Sequence, residues 1–410
     1  MMVKVGIDAL NIYGSTLSVD FSEIKSARGF SDKAFNKIRF TRRSIVPTYE
    51  DSITLAVNAA KPIIDEVGAD QFALLVVATE TGIDYGKPLS SYVHRHLNLE
   101  PSCRNFEIKH ACYAGTAGLR TAVSFLRAGS IPPDKKVLLV MTDIGRQHFQ
   151  ELSELSIGAG AVALSISLDP RIFEIELHSG GAAREVYDTA RPTLSVEYVD
   201  PVLSLCSYLD LLEIAWDEYQ HAVGPIAFEE YFAHSVYHMP LISLVEEAHK
   251  FLVETGRGVD VTKDELADSF ERMVKPSLRY SREMANIYSG SLYVALAGLL
   301  ESVPDLQPGN RVSCFSYGSG ACAEFFSGLV RPDARATLAN QHIGERLAAR
   351  RKVTLEEYET IVAGVETGFK QANFEPSWNS PVGHYEQAYQ GKNLLVLDNV
   401  SDYYRTYKWS

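Results

Sequence analysis

Three polar residues stand where strands are expected to end, and together their types suit acyl-transfer chemistry: Glu80, Cys112 and His238. Cys112 lies in Ile108-Lys-His-Ala-Cys-Tyr-Ala-Gly-Thr-Ala-Gly-Leu119, a stretch so rich in small residues that it must pack closely. Leu119, Ala122, Val123 and Leu126 continue it at helical spacing, and residues 105–109 ahead of it read as a short strand. Strand, Cys, small-residue helix is the layout of a nucleophile turn. At a helix N-terminus the backbone N–H groups and the macrodipole favour thiolate over thiol. The alternative is that Cys112 is a small buried hydrophobe. Glu80 belongs to Thr79-Glu-Thr-Gly82, the polar tip of the apolar run 72–78, where open α/β sheets place their chemistry. His238 follows another predicted strand in Tyr237-His-Met-Pro240, and Asn286 and the turn Gly318-Ser319-Gly320 complete the set. Singly, a strand-end Glu serves as a cap or ion pair, a His as a packed core residue, and Gly-Ser-Gly as an ordinary turn. As a set they fit a hydrolase, a transferase or a carbon–carbon-bond-forming acyl enzyme, and spacing does not separate these.

The elements that must position them alternate between strand and helix. Residues 3–9, 72–78, 136–141 and 311–317 read as buried strands, the second a continuous apolar run suited to a sheet covered on both faces. Helices are predicted from residue 48 or so through 60, and over 201–220, 243–255, 262–269, 285–302 and 355–369; residues 371–393 are polar, aromatic and irregular. Gly158-Ala-Gly-Ala-Val-Ala163 returns as Gly318-Ser-Gly-Ala-Cys-Ala323, each a glycine turn running into a strand. An echo at so long a period suggests a duplicated α/β unit, divided as 1–168 and 169–410. No low-complexity linker separates the halves, so one compact body is expected.

With 410 residues, 46% hydrophobic and 22% charged, the composition is that of an ordinary globular protein. The formal charge, 39 − 52 = −13, argues against nucleic acid as a partner. The five cysteines form no CxxC pair or Cys/His cluster, so neither a disulfide framework nor a metal site is expected. The absence of a signal-peptide pattern or a membrane-length apolar run points to the reducing cytoplasm. Against the acidic background, Arg28, Lys33, Lys37, Arg42 and Arg43 stand out as a basic run, with Lys275, Arg279 and Arg282 as a second cluster.

The stretches Val77-Ala-Thr-Glu-Thr-Gly-Ile-Asp84, His110-Ala-Cys-Tyr-Ala-Gly-Thr116, Asp188-Thr-Ala-Arg-Pro192, Tyr237-His-Met-Pro240, Ala285-Asn-Ile-Tyr-Ser-Gly-Ser291 and Ser316-Tyr-Gly-Ser-Gly320 occur in this order. Together they resemble the motifs of the 3-hydroxy-3-methylglutaryl-CoA synthase family, over residue 3 to about residue 326. The resemblance implies a thiolase fold, two similar α/β/α/β/α halves in one five-layered unit, paired as a homodimer. By position, Cys112 resembles the family's acetylated nucleophile and Glu80 its general acid/base. His238 matches the residue that orients and polarises the acceptor, and Asn286 one of the same pocket. Gly318, Ser319, Tyr317 and Asp143 are expected around the oxyanion hole and substrate pocket, with the backbone N–H groups of Cys112 and Ser319 as oxyanion donors. No metal or organic cofactor is implied.

Two branches of the family share this chemistry. One uses coenzyme A thioesters in primary metabolism. The other, in polyketide β-branching, takes acetyl from a donor acyl carrier protein and adds it to a β-ketoacyl chain on an acceptor carrier protein. Glu80-Thr-Gly-Ile-Asp-Tyr-Gly-Lys87 looks more like the second. Where the primary enzyme carries lysines that grip coenzyme A, this sequence has Ser243 and Glu247, and an acid there repels a nucleotide phosphate. The His-x-Pro motif is followed by Leu241 where the family usually has Phe. A ketosynthase III-like enzyme, which needs no strand-end Glu, and an inactive docking scaffold are the more distant readings. Carrier proteins are acidic, so the basic run is the expected docking surface.

Overall fold

The computed structural model describes residues 3–145, 149–193, 196–258 and 261–410. Its frame is a continuous nine-stranded sheet. In chain order the strands are β1 (Val5–Tyr13), β2 (Phe72–Ala78), β3 (Arg104–Ile108), β4 (Lys136–Ile144), β5 (Ala159–Leu168), β6 (Phe173–Ala183), β7 (His234–Tyr237), β8 (Arg311–Gly318) and β9 (Cys322–Val330). Their spatial order is β7-β8-β9-β6-β1-β5-β4-β2-β3. The arrangement repeats itself. From β1 outward run an antiparallel β5, an antiparallel β4 and a parallel β2; from β6 outward run an antiparallel β9, an antiparallel β8 and a parallel β7. The two echoed glycine turns therefore occupy equivalent places, each entering the strand that reverses on its neighbour. Only the pairs Gly6–Glu174 and Ile7–Phe173 join β1 to β6, so the two half-sheets touch at one corner.

Both faces of the first half-sheet are buried, which explains its unbroken apolar runs. Leu74, Val76 and Ala78 of β2, with Val137, Leu139 and Met141 of β4, face one core; Leu75, Val77, Leu138 and Val140 face the other. Helix α1 (Ser52–Val67) packs in the latter and α2 (Ala114–Arg127) in the former. Against the second half-sheet lie α3 (Pro201–Val223), on β6 and β9, and α4 (Ser291–Ser302). Helices α2 and α4 meet in the middle, where Thr116 Oγ1 and Tyr293 OH are 3.0 Å apart. The stack is α1, half-sheet, α2 with α4, half-sheet, α3. Gly115 shows how tight the middle is: a Cβ there would lie 2.3 Å from the Ser289 carbonyl oxygen.

Helix α1 is opened by Asp51, whose carboxylate accepts from Ile53 N and Thr54 N at 3.0 Å each while Thr54 Oγ1 accepts from Asp51 N. It is buried all round from Ser52 to Ala60 rather than on one side. The reason is the chain's end. The hairpin Leu395–Ser401/Tyr404–Trp409 covers α1, tied by Asn58 to Leu395 and by Tyr407 OH to Asp51 at 2.8 Å. Strand Arg351–Lys352 pairs with Leu17–Asp20, so residues beyond 350 lie on the first half of the molecule. The expected helix over 285–302 begins at Ser291, because Ala285 and Tyr288 take positive φ (59° and 52°) and turn the chain before it. No helix among the described residues is long and apolar enough to cross a membrane.

Candidate active site

Strand β3 ends at Ile108 and α2 begins at Ala114, so Cys112 stands in the turn between them, half-buried. Tyr113 N donates to His110 O at 3.0 Å and Ala114 N to Ala111 O at 3.3 Å, which fixes the turn. The Cys112 thiol donates to Glu80 Oε2 at 3.6 Å. Burial, then the charges of Glu80 and Asp143, push the thiol well above its ordinary range. The expected thiolate at a helix N-terminus is thus corrected. Close carboxylates and desolvation outweigh the fractional charge of the helix end, and the resting group is a thiol with a base beside it.

Glu80 is held through its backbone. Its N–H donates at 2.8 Å to Asp143 Oδ1, which also accepts from Thr79 Oγ1 at 3.0 Å, Thr81 N at 3.0 Å and Thr81 Oγ1 at 2.8 Å. Asp143 Oδ2 takes both the N–H and the hydroxyl of Ser289, across the interface to the turn before α4. Asp143 is fully buried behind the cavity wall, so its expected place in the substrate pocket is corrected. It is the knot that fixes where Glu80 and the 286–290 turn stand. Burial pushes the Glu80 carboxyl up to about 8, with Arg191 opposing and Glu197 and Asp143 reinforcing.

A cavity of about 420 Å³ brings together Glu80, Cys112, His238, Asn286, Tyr317 and Ser319, with apolar walls from Leu205, Leu241 and Leu244. His238 follows β7, its N–H bonded to Phe315 O at 2.7 Å and its carbonyl to Tyr208 OH at 2.8 Å. Burial drives its pKa down to about 3, so the imidazole is neutral at working pH and can donate a hydrogen bond. Asn286 Oδ1 accepts from Tyr288 N at 2.9 Å and Ser291 Oγ at 2.8 Å, which leaves its NH₂ for the cavity. Tyr317 OH and Gly320 N both donate to Asp188, at 2.9 and 2.8 Å, holding the Ser319 turn against the segment that follows β6. Gly318 stands behind the wall: a Cβ there would lie 2.4 Å from Tyr113 N, so only glycine lets the two turns approach.

The basic run is not one surface. Arg43 is buried, 3% exposed, on the inner side of the strand Arg42–Ile45. Arg42 reaches Asp20 and Glu283 at 3.4 and 3.2 Å, and Arg28 reaches Glu154 and Glu359 at 3.1 and 2.7 Å. Lys33 and Lys37 are exposed on the helix Asp32–Ile38, with Lys37 on the cavity rim. In the second cluster Lys275 pairs with Glu271, and Arg279 with Glu301 at 3.6 Å. Sequence reasoning missed Glu197, which lines the cavity, and gave no role to Tyr288, also in the lining, or to Arg191, although both stand inside motifs it quoted.

Two family profiles divide the chain: hydroxymethylglutaryl-coenzyme A synthase N terminal over residues 2–170 and C terminal over residues 255–409. The chain belongs to the hydroxymethylglutaryl-CoA synthase family. It is a carbon–carbon-bond-forming acyltransferase with the thiolase fold, whose five layers are those described above. Among the family's members it is 36% identical to the polyketide biosynthesis 3-hydroxy-3-methylglutaryl-ACP synthase PksG of Bacillus subtilis, over 100% of both chains. It is 32% identical to the hydroxymethylglutaryl-CoA synthase of Enterococcus faecalis, over 88% of this chain and 92% of that one. The HMG synthase of the curacin biosynthetic pathway, solved in complex with holo donor-ACP, superposes with a TM-score of 0.94 at 35% identity, covering 99% of this chain and 100% of that one.

Proposed function

We propose that this synthase acts in polyketide β-branching, taking acetyl from a donor acyl carrier protein and adding it to a β-ketoacyl chain on an acceptor carrier protein. The observation that carries the chemistry is the thiol of Cys112 at 3.6 Å from Glu80 in a cavity shared with His238. Likeness to PksG and to the curacin synthase bound to its donor carrier supports the branch. Glu80 takes the Cys112 proton as sulfur attacks the acetyl thioester. The pantetheine sulfur leaves as the C–S bond of the donor thioester breaks and takes that proton from Glu80, giving acetyl-S-Cys112 and free pantetheine thiol. Glu80, again ionised, removes a proton from the acetyl methyl group. Backbone N–H groups of Cys112 and Ser319 are the donors proposed for the enolate oxygen. The enolate carbon bonds to the β-carbon of the acceptor, whose ketone His238 polarises, and the new alkoxide takes the proton from Glu80. Water then cleaves the Cys112 thioester, leaving a carboxylate on the product and restoring the thiol.

Every bond and proton in this sequence is carried by side chains and thioesters, so the proposal needs no metal or organic cofactor; it includes pairing as a homodimer. Incubation with acetyl-carrier protein and acetoacetyl-carrier protein tests it. A 3-hydroxy-3-methylglutaryl arm on the acceptor, read by mass spectrometry, is the expected product. Turnover of acetyl-CoA with acetoacetyl-CoA at a higher kcat/KM than the carrier-bound pair would instead place the protein in the coenzyme A branch.

A further inference from the structure

Arg191 stands between two carboxylates beside the nucleophile. Its Nη2 is 3.5 Å from Glu80 Oε1 and 2.9 Å from Glu197 Oε2. All three side chains are nearly shut off from solvent, exposed by 14%, 9% and 5%. Tyr288 closes the group, its ring 5.8 Å from the guanidinium carbon and its hydroxyl donating to Glu197 Oε1 at 3.3 Å. Arg191 and Glu197 come from the facing strands Thr189–Thr193 and Val196–Val199, whereas Glu80 comes from the end of β2. Glu197 thus has the shorter claim on the cation, and Glu80 receives what remains.

We infer that Arg191 and Glu197 act as a pair of positioning residues that set the proton affinity of Glu80, the first lowering it and the second limiting that effect. The chemistry demands both. A lone arginine in this desolvated site would make Glu80 too weak a base for a thiol or an acetyl methyl group. Without the arginine, burial beside Asp143 and Cys112 would leave Glu80 protonated and unable to start either step. The groups that face Glu80 are Arg191, Glu197, Asp143, Cys112 and Tyr288. Of these, Arg191 is the only cation.

The inference rests on Glu80 being the base, and not on which thioester carrier the enzyme uses. Its test is the pH profile of Cys112 alkylation by iodoacetamide, followed on the Cys112 peptide, which needs no substrate. Arg191→Met is expected to move the rising limb to higher pH, and Glu197→Gln to lower pH, each by about one pH unit or more. Arg191→Lys, which keeps the charge, should return the limb most of the way. Shifts of the same sign in Arg191→Met and Glu197→Gln would overturn the inference, as would unchanged limbs. If Arg191→Met fails to fold, Glu197→Gln still decides: its downward shift should largely vanish in a Glu80→Gln background, whereas a shift that persists there comes from the charge of Glu197 acting directly on Cys112 and overturns the inference. Should alkylation shift as expected while carrier-bound acetyl is not transferred, the functional reading fails and this inference stands.

Discussion

At the residue scale the site works through a neutral thiol and a base of matched strength. Glu80, near 8, is mostly protonated at pH 6, so kcat/KM should fall about tenfold per pH unit below that ionisation and level off above it. His238, near 3, stays neutral across that range and adds no limb. Glu80→Gln should lower condensation by about 10²–10⁴-fold while Cys112 still acquires acetyl, more slowly, because losing a neighbouring negative charge eases thiolate formation as the base is lost. Condensation at the wild-type rate in that variant would remove Glu80 as the base. Glu80, Cys112 and His238 were legible because each follows an expected strand, inside a motif that resembles the family's, with a polar group that no helix or strand needs. Glu197 was not legible. It lies on the polar side of an alternating stretch, as an ordinary solvent-facing strand residue would, and only the fold brings it to Arg191.

At the element scale the site depends on turns from different strands brought within contact. Asp143 is the knot, with Oδ1 accepting four times and Oδ2 twice. Asp143→Asn sets an NH₂ group against donors, so it should cost about 2–4 kcal/mol of stability, read as a lower midpoint in urea. It should also slow condensation, since Glu80 and the Asn286 turn lose their shared anchor. Gly115→Val would force a side chain onto the Ser289 carbonyl in the same region and should likewise destabilise by about 1–3 kcal/mol or more. The strands β2 and β8 were legible almost to the residue, β2 as a continuous apolar run and β8 as the stretch that runs into the second glycine turn. The start of α4 was not. Residues 285–290 have helix-compatible types, and tertiary contacts, including Asn286 N to Ser156 O and Ser289 to Asp143, impose positive φ at Ala285 and Tyr288.

At the scale of the whole molecule, the glycine-turn echo foretold the repeated half-sheets, since a turn that must reverse a strand on its neighbour keeps its glycines. What composition does not reveal is the return of the chain beyond residue 350 to the first half, a matter of long-range pairing. Charge was only partly legible: the basic run is visible in sequence, but ion pairing and the inward face of a strand leave Lys33 and Lys37 as its exposed members, with Lys37 at the cavity rim. Lys33→Glu with Lys37→Glu should therefore weaken acetyl transfer from a carrier protein by about tenfold at low salt and less at high salt. Transfer from acetyl-pantetheine, which never meets the surface, should hold, and equal losses with both donors would dismiss the docking surface. The central claim, that a carrier protein delivers acetyl to Cys112, is tested most directly by mass spectrometry of the Cys112 peptide after brief mixing with acetyl-carrier protein. One acetyl group on Cys112, absent from Cys112→Ala and formed faster than from acetyl-CoA at the same concentration, is the predicted result; an unmodified Cys112, or faster loading from acetyl-CoA, would contradict it.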